Sequence, residues 1–366
     1  MRDRVSVIGA GTAGLIAARN LAEKGIDTVV YDQKERLGVP ARASGIVSIS
    51  GLDSLGIGYG KAITNTLHGA NIHAGGSVMR VRAKGAKAHV VDRTMLNEIC
   101  EDEGISAGAK VVKGRKIEGR DLDRMHSESI IIGADGPVST VARHFSMGSI
   151  SRYALTYKAE YNVNARDSGV VDLYFNNSLT PRFFAWLCPN AKDVLEVGIG
   201  IDSKYGNSKA AFDGFVKQKE IAEAIGGSKM LNGHASMIPM QTMRQIVSAG
   251  KEVLLVGDAA GQVKPTTGGG IVFGGNAAII AARVIRDHIE KGRSLSDYER
   301  IFRKRYGFDI RLHSVISSVY SGSTTGLGYL LRMSNALGLD AFFGRYGDMD
   351  RPSLMLKRFF LRSLAK

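Results

Sequence analysis

The spacing of apolar positions changes twice within the first thirty residues. Arg4-Val5-Ser6-Val7-Ile8 reads as a short buried strand. Leu15, Ala18, Leu21 and Ala22 then recur at helical spacing, which predicts a helix from Leu15 to Lys24, stopped by Gly25. Asp27 to Tyr31 is a second apolar strand ending at Asp32, completing a β-α-β unit. The pattern then shortens. His68–His73, Val78–Arg82 and Ala86–Val91 read as strands of a β-meander separated by Gly pairs. Thr94–Glu103 is helical, and residues 111–117 and Ser129–Ile132 are strands. Strands Ala154–Val163, Val170–Phe175, Phe183–Leu187 and Leu195–Ile201 follow. Lys209–Ile225 is helical, Val253–Val256 is a buried strand, and from Asn276 onwards the chain reads mostly as helix. This order suggests a nucleotide-binding α/β domain interrupted by sheet-rich insertions.

Composition sharpens this picture. The chain has 45 glycines in 366 residues, about 12% against a usual share near 7%, with no collagen period or Ser/Pro-rich tract. Such glycine serves close backbone approach, which cofactor-binding folds need. Two cysteines, Cys100 and Cys188, exclude a disulfide framework and a Cys-rich metal site. No signal peptide fits the N-terminus, and no run of 18 apolar residues occurs, so no spanning helix is expected. Net charge is +14, and residues 300–366 hold twelve Lys/Arg against four Asp/Glu. An anionic partner or surface suits that tail.

Three glycine-rich turns carry the candidate chemistry. Gly9-x-Gly11-x-x-Gly14 lies between strand and helix, with Asp32 at the end of the next strand. Gly9 permits the turn, Gly11 lets backbone approach a pyrophosphate, and Gly14 allows close helix–strand packing. The helix N-terminus offers free amides to phosphates, and Asp32 can accept from a ribose diol. This unit predicts a dinucleotide but does not choose between FAD and NAD. The second turn, Gly133-Ala134-Asp135-Gly136, follows Ile130-Ile131-Ile132 and precedes a helix. The third runs Gly257-Asp258-Ala259-Ala260-Gly261 and then Pro265-Thr266-Thr267-Gly268-Gly269-Gly270-Ile271 at a helix start.

These turns in this order resemble the FAD-dependent hydroxylase/reductase superfamily, and within it the geranylgeranyl reductase family. Four features bring the chain closer to the reductases: Arg36-Leu37-Gly38-x-Pro40-Ala41-Arg42-Ala43-Ser44-Gly45, Asp92-Arg93-x-x-Leu96, Trp186-Leu187-Cys188-Pro189 with Val197-Gly198-Ile199-Gly200, and the triple glycine before Ile271. The resemblance implies an α/β fold: a Rossmann-like FAD-binding domain of the three-layer ββα type, an inserted antiparallel β-sheet substrate domain, and a helical C-terminal region. The expected boundaries are 1–66, 92–150 and 246–300 for FAD binding, 67–91 and 151–245 for substrate, and 301–366 for the helical region.

The family pattern implies residue roles. Gly9, Gly11, Ala13 and Gly14 would hold the FAD pyrophosphate, and Asp32 with Gln33 the adenosine ribose. Arg42, Ala43 and Ser44 would border the flavin, and Arg93 its ribityl–phosphate region. Gly257 and Asp258 would hold the ribityl chain or pyrophosphate, and Gly269, Gly270 and Ile271 the N1/O2 edge. Asp135 would secure the loop beside the pyrophosphate. Trp186, Cys188 and Pro265 would line the substrate cavity. Many relatives carry cysteine where this chain has Ala43, which implies fewer double bonds reduced or a different substrate. No side chain is assigned as a catalytic residue, because flavin N5 would carry the chemistry.

The implied activity is hydrogenation of C=C bonds in isoprenoid (geranylgeranyl) chains of membrane lipids or prenyl diphosphates, with electrons from ferredoxin or NAD(P)H. A flavin monooxygenase of the same fold, or a flavoprotein acting on tRNA, are the alternatives. The basic tail lacks the interleaved aromatics of a nucleic-acid platform. The expected location is cytoplasmic, peripheral on the inner membrane face. Residues 353–366, with Leu356, Phe359, Phe360 and Leu364 mostly opposite Lys357, Arg358, Arg362 and Lys366, leave two readings open: contact with an anionic membrane, or apolar residues packed on the FAD-binding domain.

Overall fold

The computed structural model describes residues 3–40, 44–240 and 244–364, with side chains described through 359. A five-stranded parallel sheet has the order Val253–Leu255, Ile130–Gly133, Arg4–Ile8, Asp27–Tyr31, Lys110–Val112. Its strands are near-continuous apolar runs because both faces are covered. Val5, Val7, Ile130, Ile131, Ile132 and Val253 are essentially inaccessible. Helix Thr12–Ala22 packs on this sheet and against helices Arg93–Ser106 and Ile271–Lys291. Thr12 Oγ1 donates to Asn97 Oδ1 at 2.7 Å, fixing two of these helices together.

A three-stranded antiparallel sheet, Ile46–Ser48, Ala88–Val91 and Ile63–Leu67, forms the second β layer. A seven-stranded sheet has the order Met230–Pro239, Tyr153–Asn162, Val194–Asp202, Ala185–Ala191, Val170–Phe175, Gly69–Ala74, Ser77–Arg82. The expected meander over 67–91 therefore divides. The hairpin 69–82 joins the large sheet, while Ala88–Val91 pairs in the small one. The large sheet is antiparallel except where Val170–Phe175 runs parallel to Gly69–Ala74.

Two local expectations fail for identifiable reasons. The strand expected over 111–117 ends at Val112, and a helix follows at Gly119–Glu128. That helix buries only Leu122 and Met125, and its start depends on a reciprocal cap between Glu118 and Asp121. The single helix expected over 209–225 is two, Ser208–Phe215 and Lys219–Ile225. The C-terminal part is helical throughout: Asp297–Gly322, Thr324–Ala336, Leu339–Tyr346 and Pro352–Leu364. Phe359 packs edge-on against Phe342, and Arg358 lies over the Tyr346 ring. No helix among the described residues is long and apolar enough to cross a membrane.

Candidate functional site

The first turn is built by steric exclusion. Gly9 has φ +106°, and a Cβ there would collide with the Ala134 carbonyl; a Cβ on Gly14 would collide with the Gly9 carbonyl. Gly11 differs: nothing lies within 4 Å of where its Cβ would project. The N-terminus of helix Thr12–Ala22 therefore opens onto free space, with amides that no preceding turn can satisfy. Asp32 holds the turn from the neighbouring strand end. Its carboxylate accepts from the Ala10 and Lys34 amides, each at 2.8 Å.

That space continues into a cleft of about 220 Å³. Gly11, Ala13 and Ala134 form one end of its wall; Ile46 and Val47 come from the small sheet, Ser44 from the segment just before it, and Ser236–Ile238 from the edge of the large one. Arg93, Asp258 and the Gly268–Val272 segment complete it. Helix Ile271–Lys291 begins here, so its positive end faces the cleft. A buried relay holds the Asp258 loop in place. The Gly257 amide donates to Gln262 Oε1 (2.8 Å), Gln262 Nε2 to Tyr298 Oη (2.7 Å), and Tyr298 Oη to the Leu255 carbonyl (2.9 Å).

Three polar groups here have no side-chain partner among the described residues. No hydrogen bond or ion pair of those residues takes up the Arg93 guanidinium or the Asp258 carboxylate, and none reaches the buried Ser44 hydroxyl. Burial pushes the Asp258 carboxyl above its usual range, with Arg93 only partly opposing it, and burial lowers the Arg93 pKa. Unpartnered buried polar groups are costly, so they point to a polar ligand.

The far wall carries a feature that sequence reading missed. Lys264 Nζ and Asp350 Oδ1 form a buried ion pair at 2.7 Å, with both side chains about 5% exposed. The Asp350 carboxylate also accepts from Ser48 Oγ. His313 donates from Nε2 to the Asp350 carbonyl (3.2 Å) and accepts at Nδ1 from Thr266 Oγ1 (2.9 Å). Burial first, and Lys264 second, lower the His313 pKa, consistent with this neutral tautomer. Lys264 had a local signal, a lone charge inside a Gly/Pro turn. Asp350 had none.

Of the residues singled out from sequence, Gly11, Ala13, Ser44, Arg93, Gly257, Asp258, Gly269, Gly270 and Ile271 share this cleft. Gly9 and Gly14 lie directly behind it, and Gln33 is exposed beside Asp32. Asp135 caps the helix Thr140–His144, accepting from Ser139 Oγ (2.6 Å) and the Thr140 (2.7 Å) and Val141 (3.1 Å) amides, while its neighbours Ala134 and Gly136 line the cleft. Arg42 and Ala43 lie outside the described residues. Trp186, Cys188 and Pro265 are buried and do not line it. Trp186 lies across Gly198 and donates to Glu196 (2.8 Å), which pairs with buried Lys158 (2.7 Å). The Cys188 thiol sits in the same buried layer, its pKa raised by desolvation.

The cleft fits FAD on these observations: open space at a helix N-terminus for a pyrophosphate, an unpartnered Arg–Asp–Ser set, and a second helix N-terminus beyond it. Comparison with known proteins agrees. A family model described as "FAD binding domain" matches residues 2–290. Digeranylgeranylglycerophospholipid reductase 1 of Methanothermobacter thermautotrophicus is 27% identical over 94% of this chain and 91% of its own length. A geranylgeranyl bacteriochlorophyll reductase-like protein from Thermoplasma acidophilum superposes with TM-score 0.83 at 20% identity, covering 97% of this chain and 94% of that one. PqsL of Pseudomonas aeruginosa, described as a probable FAD-dependent monooxygenase, superposes with TM-score 0.66 at 15% identity, covering 92% and 99%. The chain belongs to the FAD-binding domain family and is an FAD-dependent oxidoreductase.

Proposed function

We propose that the protein reduces C=C bonds in the isoprenoid chains of an amphipathic lipid. The observation that carries this reading is an aromatic wall between two cavities. Phe183 packs beside Gly268 in the FAD cleft and stacks on Phe184 at 4.5 Å; Phe184 meets Phe175 at 5.5 Å. Phe175 lines a second cavity of about 550 Å³, together with Leu179, Ala185 and Phe215. His73, Arg80, Gln218 and Glu220 lie on the same lining. A cavity with apolar and polar walls suits a lipid, because a polyprenyl chain offers no hydrogen bonds while its headgroup needs them.

When bound and reduced, FAD would supply a hydride from N5 to one alkene carbon, while a proton from solvent would complete the other. The chain's own residues bind and orient. Gly11 and the Thr12–Ala22 helix start would receive the pyrophosphate, and Asp32 with Gln33 would lie at the adenosine ribose. Arg93, Ser44 and Asp258 would take polar groups of the ribityl chain and phosphates. The Gly268–Gly270 amides and the start of helix Ile271–Lys291 would favour negative charge at the ring's N1/O2 edge. Ile238, Met237 and Phe183 would exclude water from the opposite side.

The substrate's location explains the C-terminal surface. Phe308, Val315, Ile316 and Val319 form an exposed stripe on helix Asp297–Gly322, and Tyr329, Leu330 and Met333 another on Thr324–Ala336. Exposed Lys304, Arg305 and Arg311 flank the first stripe. This basic and apolar face suits an anionic membrane surface. The electron donor in this reading is ferredoxin or NAD(P)H.

The test is anaerobic. A geranylgeranyl-chain lipid added to dithionite-reduced holoprotein should restore the oxidised flavin spectrum without oxygen. A flavin that reoxidises only when oxygen is admitted favours the monooxygenase reading, for which the fold shared with PqsL is the motive.

A further inference from the structure

The Lys264–Asp350 pair is a poor candidate for a purely stabilising device. Burying two charges costs desolvation that their attraction only roughly offsets, so a buried pair is weak evidence for stability. Its position is informative. Lys264 sits at the neck of the Gly268–Gly270 loop: its amide donates to the Gly269 carbonyl (3.1 Å), and its carbonyl accepts from the Gly268 amide (2.8 Å). Its side chain folds back over that loop, with Nζ 3.3 Å from where a Gly269 Cβ would project. Both Lys264 and Asp350 line the cleft. Asp350 reaches it from the segment before helix Pro352–Leu364, held by Ser48 and by the His313 contact to its carbonyl.

We propose that Lys264 sets the electrostatic potential at the flavin ring, and that Asp350 sets how much of that positive charge the ring experiences. The proposal rests on reading the cleft as the FAD site. Among the described residues, the other charged groups on the cleft wall are Arg93 and Asp258, which oppose each other in sign. Within the Lys264–Asp350 pair, one substitution tips the balance either way. In a site shielded from water a unit charge acts far more strongly than in bulk solvent. More positive charge favours electron-rich forms of the ring; a bare carboxylate disfavours them.

Sulfite reads this charge directly, because it adds as an anionic nucleophile to oxidised flavin and bleaches its spectrum. The holoprotein is titrated with sulfite as wild type, Asp350→Asn, Lys264→Met and the double variant. Asp350→Asn should bind sulfite at least about tenfold more tightly, and Lys264→Met at least about tenfold more weakly, a factor of ten being about 1.4 kcal/mol. The double variant should return close to wild type. If Lys264→Met does not fold, the comparison of Asp350→Asn with the double variant carries the same test: the double variant must bind sulfite more weakly. A purely structural role would move both single variants in the same direction. Shifts in the same direction, or shifts below about twofold with FAD retained, overturn the proposal. Wild-type protein that takes up no FAD overturns the reading of the cleft, and this proposal with it.

Discussion

Two glycines three residues apart in the first turn, Gly11 and Gly14, should fail in opposite ways when changed to alanine. Gly11 has φ −74° and open space around its missing Cβ, so Gly11→Ala fits the apo backbone without strain. Its apo stability should hold or rise by about 0.4–1 kcal/mol, through the less flexible unfolded chain. The new methyl would occupy the space at the helix start where the pyrophosphate is to sit. Crowding by one methyl typically costs about 1–3 kcal/mol, which predicts an FAD affinity loss of roughly five- to 150-fold. Gly14→Ala places its methyl against the Gly9 carbonyl inside the fold, where backbone cannot yield cheaply. It should destabilise the apo protein by about 3 kcal/mol or more. Thermal unfolding of the apo proteins separates the two effects, and quenching of FAD fluorescence gives the affinities. A Gly11→Ala protein that binds FAD like wild type, or a Gly14→Ala protein that unfolds at the wild-type temperature, would refute the assignment of the turn.

Three further predictions follow from the site. Asp258 is held above its usual carboxyl pKa, so the apo protein loses stability as pH rises from the unfolded value of 3.8 through the raised folded one. Asp258→Asn should remove that loss, leaving the apo variant the more stable at neutral pH while its FAD affinity falls; pH-dependent melting and FAD titration check both. Asp135→Ala removes three hydrogen bonds at the start of helix Thr140–His144 and should cost about 0.5–2 kcal/mol in urea unfolding. Phe308→Glu with Val315→Glu should abolish sedimentation with anionic liposomes at low salt while leaving bound FAD unchanged; sedimentation equal to wild type removes that face as the contact.

Much of this was legible locally. The first turn, with Asp32 closing its far side, is read from four short-range features: strand, glycine spacing, helix period and the next strand's acidic end. Gly268–Ile271 announces a helix start in the same way, and helix Ile271–Lys291 begins there. What was not legible depends on distant partners. Asp350 meets Lys264 and Ser48 across 86 and 302 positions of chain, and no periodicity marks it. The ring of Trp186 lies over Gly198 and its N–H donates to Glu196, a cross-strand arrangement that spacing alone cannot show. The helix Gly119–Glu128 escaped because two buried apolar residues give too faint a period, and caps rather than packing define its start. The basic tail leaves Leu354 and Phe359 exposed while Phe359 and Arg358 also touch helix Leu339–Tyr346, and further exposed apolar stripes lie on helices Asp297–Gly322 and Thr324–Ala336, which a reading of the tail alone does not reach.

Reduction of an isoprenoid chain at the FAD cleft would leave its mark on the lipid itself. The most direct measurement is the mass of the lipid after anaerobic incubation with dithionite-reduced holoprotein. The expected result is a gain of two hydrogens per double bond consumed, with no oxygen incorporated. An unchanged lipid mass under these conditions, or a product heavier by one oxygen once air is admitted, would contradict it.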